Sequence, residues 1–167
     1  MAEFEYDNIT EAFRNLLRGD HTLIDPTRVN AQIEVRNICR DRIYSGRKPQ
    51  GTTQGPWIDC VRISDDPQFT TTAGESSSSS SLVEVTVHAQ DNATASRLAA
   101  ACKLVLNLIR TTVECDESED VKIGSCIHRD DGQQDPSKIP DASADYDFQV
   151  DLLFSVMHSR VTAVGFA

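Results

Sequence analysis

Apolar residues recur at steps of three and four in three stretches of the chain, the spacing of helices with one buried face. The first stretch predicts an amphipathic helix over about residues 4–18, closed by Gly19. A second, weaker helix is predicted after Pro26. The third follows a cap at Asp91 or the residue after it, and we expect this helix to end near Thr112.

Apolar and polar residues alternate in four other stretches, as in strands that bury one face. These stretches are 57–63, 83–89, 121–127 and 146–156. We expect the first strand to break at the Asp-Asp-Pro sequence 65–67, and the register of the last strand to be fixed because a one-residue slip would bury carboxylates. The element order predicts an α+β fold with a four-stranded, largely antiparallel sheet and two or three helices packed on one face.

Three segments between these elements are rich in polar residues, Gly or Pro. Residues 46–56 carry three Gly and two Pro, which predicts a loop. Residues 68–81 form a low-complexity tract that ends in six serines, and residues 129–145 are also polar. We expect the last two segments to be mobile, because they have few apolar side chains to offset the entropy of ordering.

Length and charge narrow the class of protein. A chain of 167 residues fits one domain, 1–167, and neither a signal sequence nor a membrane-spanning run is present, so we expect synthesis in a cytoplasm and no membrane partner. The net charge of −10 argues against general nucleic-acid binding, and we expect no sequence-specific nucleic-acid partner. Residues 1–50 are balanced, with eight basic and eight acidic side chains, so the whole excess lies in residues 51–167.

Candidate reaction chemistry is sparse. The five cysteines show no CxxC pair, which favours free thiols over a disulfide framework or a zinc site. Cys126 with His128, and Glu84 with His88, would share strand faces as a nucleophile and base or an acid–base couple, but structural roles explain them as well. The loop at 46–56 lacks a phosphate-binding motif and the acidic run at 114–120 lacks calcium-loop spacing. We therefore predict no cofactor, no metal and no enzymatic activity.

One segment resembles a known family. Residues 41–51, DRIYSGRKPQG, are similar to the RVYxGRAPQG stretch of the phage tail-completion family, whose members are similar to the lambda tail terminator. Three further features agree in order. They are the strand WIDCVRIS before an Asp-Asp-Pro turn, the strand LVEVTVHAQ before an Ala- and Leu-rich helix, and the terminal strand YDFQVDLLFSVMH.

The resemblance implies a structural virion protein in the neck region of a phage tail. Such a protein forms a ring, commonly of six copies, that caps the tail tube, ends its polymerisation and meets the head connector while DNA passes through. Two alternatives stay open, a neck or head–tail connector protein on the same scaffold and a small cytosolic enzyme. We predict an interface that includes Arg42, Arg47, Lys48, Gln50, Gln68, Thr70, Glu75 and Ser78.

Overall fold

The computed structural model describes residues 8–47, 55–70, 76–116, 120–134 and 148–161. Within these ranges the chain forms three helices and six strands. In chain order they are α1 (Ile9–Arg18), α2 (Pro26–Cys39), β1 (Ile43–Ser45), β2 (Trp57–Thr70), β3 (Ser76–Ala89), α3 (Asn92–Leu106), β4 (Thr111–Val113), β5 (Asp120–Gln134) and β6 (Phe148–Val161).

The strands form one curled, six-stranded mixed sheet in the order β1-β2-β3-β6-β5-β4. The predicted four-stranded, largely antiparallel sheet is therefore wrong. The four predicted strands are β2, β3, β5 and β6, which pair antiparallel, and two short strands extend them. β1 pairs parallel with β2, and β4 pairs antiparallel with β5. Each added strand has only three residues, too few for an alternating pattern to show in the sequence.

Local capping explains where the helices begin and end. The side chain of Asn8 accepts a hydrogen bond from the Glu11 amide at the start of α1, and Gly19 ends that helix in the left-handed conformation, with φ 80°. The helices predicted before Gly19 and after Pro26 are confirmed, although residues 4–7 lie outside the described ranges. The predicted end of α3 near residue 112 is wrong. Leu108, with φ 62°, turns the chain out of the helix, and its amide donates to the Cys126 carbonyl at 2.7 Å.

Two strands are longer than predicted. β2 continues through residues 65–67 to Thr70, so the predicted break is wrong. Pro67 is tolerated because β1 covers only residues 58–60, so no described strand pairs with the outer side of β2 at the proline. β5 likewise continues to Gln134, so the start of the polar segment 129–145 is strand. Residues 71–75 and 135–147 lie outside the described ranges, and the mobility of both polar segments stays a prediction.

The core lies between one face of the sheet and the helices. α1 and α3 pack directly on the sheet, and α2 packs against both of them. Phe154 at the centre of β6 is fully buried, and its ring meets the ring of Phe13 edge-on at 5.9 Å between centroids. The predicted register of the last strand is confirmed from residue 148 onward. The side chains buried on its helix side are Val150, Leu152, Phe154 and Val156.

Candidate interaction surfaces

Arg42, the first residue of the predicted interface, makes contacts within the chain. Its Nε donates to the Pro56 carbonyl at 3.0 Å, and its terminal nitrogen donates to the Ile38 carbonyl at 3.3 Å. The guanidinium lies so close to Gly55 that a Cβ at that glycine would sit 2.4 Å from it. Arg42 therefore ties the end of α2 to the start of β2, and an arginine fork suits this task because it donates in two directions.

The other predicted interface residues fall into three groups. Arg47 follows β1 and is exposed. Thr70 and Ser78 are paired residues of β2 and β3, and Gln68 lies at the irregularity of β2 between Pro67 and Phe69. The predictions for Lys48, Gln50 and Glu75 lie outside the described residues. An interface role for all eight positions stays a prediction.

A cleft of about 630 Å³ lies beside Arg42, where the C-terminal ends of α1 and α2 meet. Its lining is polar and consists of Arg18, Asp20, Arg36, Asn37, Arg40 and Asp41. The side chain of Arg18 donates to the Asp41 carbonyl at 2.9 Å and so fastens the two helix ends together. Arg36 and Arg40 are exposed, and neither forms an ion pair with a described carboxylate.

Five arginines thus surround the helix ends and β1, and we call them the arginine surface. They are Arg18, Arg36, Arg40, Arg42 and Arg47. Cations near a helix C-terminus are favoured by the helix dipole, which explains part of this clustering without a partner. Asp20 and Asp41 offset two of the five charges, so a positive surplus remains available to an acidic partner.

The face of the sheet away from the helices carries a second polar cluster. His88 stacks on Trp57 with ring centroids 4.3 Å apart, and its Nε2 lies 3.3 Å from Oδ2 of Asp59. Asp59 is only 5% exposed, although none of the three described helices lies on this face. The predicted couple of Glu84 and His88 does share this face, but Glu84 accepts a hydrogen bond from Thr86 at 3.3 Å instead.

Carboxylates recur across this face in neighbouring rows. Asp59 lies opposite Thr86, which lies opposite Asp151, and in the next row Glu84 and Asp130 both flank Leu153. Adjacent strands are about 4.8 Å apart, so carboxylates two strands apart repel across about 10 Å. Among the described residues, the register puts Lys122, near the start of β5, on this side as well. We call these four carboxylates and their apolar neighbours the acidic face.

The fold, but not the sequence, has relatives among known proteins. No protein-family model and no curated protein sequence matches the chain. The solved structures that are similar to it include a chain of the "Virion of native gene transfer agent (GTA) particle". The two chains share 15% sequence identity and superpose with a TM-score of 0.55, over 91% of this chain and 95% of the other. At this identity the likeness establishes the fold alone.

The predicted pairing of Cys126 and His128 on one strand face is confirmed, but the geometry does not make a nucleophile. Burial raises the pKa of the Cys126 thiol to about 12, so the thiolate that would attack a substrate is strongly disfavoured. The His128 ring contacts Phe154 and pairs with Asp131, whose carboxylate also accepts from Lys103 at 2.9 Å. The contacts of His128 with Phe154 and Asp131 account for its position without a catalytic role.

Sequence reasoning missed one close polar pair, Ser81 and His158. The serine hydroxyl lies 2.6 Å from Nε2 of the histidine, as in a serine nucleophile with its base. The two residues are 1% and 2% exposed, however, so no substrate reaches the hydroxyl. The pair satisfies two buried polar groups. His158 continues the even-numbered buried positions of β6, and that phase is the signal that could have found it.

Two features are absent from the described residues, a metal-binding cluster and a membrane-spanning helix. No three His, Cys, Asp or Glu side chains among them are placed to hold a metal ion. None of the three helices has the length and apolar character needed to span a bilayer.

Proposed function

We propose that this chain is a structural virion protein of a tailed phage or phage-like particle. The observation that carries the proposal is the fold shared with a gene transfer agent virion chain, because the likeness extends over nearly the full length of both chains. The resemblance of residues 41–51 to the tail-completion family supports it independently. The role is stoichiometric, which agrees with the buried thiol of Cys126 and the inaccessible hydroxyl of Ser81.

Within that class we propose that the protein caps the tail tube. A ring of copies, commonly six in the family it resembles, would occupy the growing end, block further addition of tube subunits and present its other side to the head connector. A closed ring needs two unlike surfaces on each copy that fit one another. The arginine surface and the acidic face supply unlike surfaces on this chain.

The experiment is polymerisation of the cognate tube protein with and without this chain, with tube lengths measured by electron microscopy. We expect overlong tubes in its absence and a defined length when about one ring per tube is present. Tube lengths that do not depend on this protein would refute the capping role.

A neck or head–tail connector protein on the same scaffold is the alternative. The fold likeness is to a virion chain without a stated position, so it favours neither role over the other. Binding of the purified protein to the portal or connector, together with unchanged tube lengths, would favour the alternative.

A further inference from the structure

The geometry points to a specific contact between copies: the arginine surface of one copy docks on the acidic face of the next. This inference rests on the proposed ring and names the two surfaces that would form it. The occupant of the acidic face is therefore a second copy of this chain, bound through its α2 helix.

The two surfaces carry opposite charge. The acidic face presents Glu84 and Asp130 in one row and Asp151 in the next, and cations from another copy would relieve the repulsion among them. Arg36 and Arg40 supply such cations, since they are exposed and form no ion pair with the carboxylates that the structure describes. Opposite potentials favour contact and fix its register.

The spacing of the charges also fits. Arg36 lies in the last turn of α2, Arg40 directly follows the helix with φ 56°, and both line the same cleft. Glu84 and Asp130 lie in one row of the sheet, separated by β6 and therefore by about 10 Å. Two long arginine side chains from one cleft can reach across that distance, so the end of α2 can address both carboxylates.

Both surfaces also carry exposed apolar side chains. Ile127 and Met157 lie on the acidic side of the sheet and are 38% and 40% exposed. Ile33 lies on α2, next to the cleft, and is 51% exposed. Each surface therefore combines exposed apolar area with charge, which is the composition of an interface with a dry centre and a polar rim.

The two surfaces belong to different layers of the molecule. α2 lies outside α1 and α3, the sheet lies beneath those two helices, and the acidic face is on the far side of the sheet. The two surfaces therefore lie on different sides of the molecule and cannot satisfy each other within one copy. A contact between unlike surfaces is heterologous, and it closes into a ring when the rotation between copies allows.

The test is a charge swap between two variants of the full chain. The first variant carries Arg36→Glu with Arg40→Glu, and the second carries Glu84→Lys with Asp130→Lys. Association is measured by native mass spectrometry and analytical ultracentrifugation at low salt. We expect each variant alone to associate at least about ten-fold more weakly than the unmodified protein, because like charges then face each other.

Mixing the two variants should restore assembly. In a mixed ring the two variants alternate, so native contacts alternate with contacts in which both charges are reversed. Opposite charges then face each other at every contact. Arg110→Glu, which changes an exposed arginine outside both surfaces, should associate like the unmodified protein. Melting curves check that each variant folds. If a charge-reversed variant does not fold, a neutral substitution takes its place, Arg36→Gln for the first variant and Glu84→Gln for the second.

Three results would overturn the inference. They are an unmodified chain that stays monomeric at about millimolar concentration and low salt, variants that associate normally, and mixtures that fail to restore assembly. Failure of the proposed capping function would give a different combination of results. If the swap behaves as expected but tube lengths do not depend on the protein, the contact stands and the capping role falls.

Discussion

Phe154→Ala tests whether the fold depends on the packing between β6 and α1. Phe154 is fully buried at the middle of the sheet, and its ring packs edge-on against Phe13 and against His128, with centroids 5.9 and 5.4 Å apart. Replacing a buried phenylalanine by alanine costs about 3–5 kcal/mol, because transfer energy is lost and a cavity remains. For a chain of this length that corresponds to a fall in Tm of about 6–20 °C.

The matched control is Asp151→Ala, three residues earlier on the same strand but on the acidic face. Asp151 is partly exposed and accepts a hydrogen bond from Gln149 at 3.0 Å, so we expect its loss to cost about 1 kcal/mol. The assay is urea unfolding followed by circular dichroism, with Phe154→Leu expected between the two. Costs within 1 kcal/mol of each other for the two alanine variants would refute the register and the central place of β6.

Two further predictions concern cysteine ionisation and Arg42. Burial raises the pKa of Cys39 and Cys126 to about 12 from an ordinary value of 9.0, so above pH 9 only the unfolded chain releases these protons and the free energy of unfolding falls as pH rises. Cys126→Ala should weaken that fall by up to about 1.4 kcal/mol per pH unit in urea titrations, and an unchanged slope would contradict it. Arg42→Ala should cost about 1–3 kcal/mol in the same assay, and Arg42→Lys should not fully restore it because lysine lacks the two-way fork. Full rescue by lysine would show that charge alone is needed.

The elements that the sequence predicts well are those whose apolar pattern is long. The even-numbered residues from Val150 to Val156 specify a buried strand face because polar residues occupy every alternate position but one. β1 and β4 escape prediction because three residues are too few for a pattern, and pairing with a long neighbour forms them. The extension of β2 through Pro67 could not be predicted from the sequence for another reason. It depends on backbone hydrogen bonds to a serine-rich strand, which need no apolar side chains.

The surfaces were predictable in part. Strand alternation places Asp59, Glu84 and Asp151 on the side away from the core, and this can be read from the sequence. Their arrangement in neighbouring rows requires the cross-strand register, which the sequence does not contain. The contacts of Arg42, in contrast, could not be read from the sequence. Its motif suggested an interface, yet its partners are carbonyls of Ile38 and Pro56, brought together only by the fold.

The proposed contact also accounts for a sheet whose second side is covered by none of the described helices. A sheet that served only stability would gain by covering its second face or by making that face uniformly polar. Here the second face keeps Ile127 and Met157 partly exposed beside a row of carboxylates. It also holds Asp59 almost fully buried, with Nε2 of His88 3.3 Å from its carboxylate. A face of this composition is costly in an isolated chain and favourable once a cationic, partly apolar surface covers it, which is the condition that the proposed ring would provide.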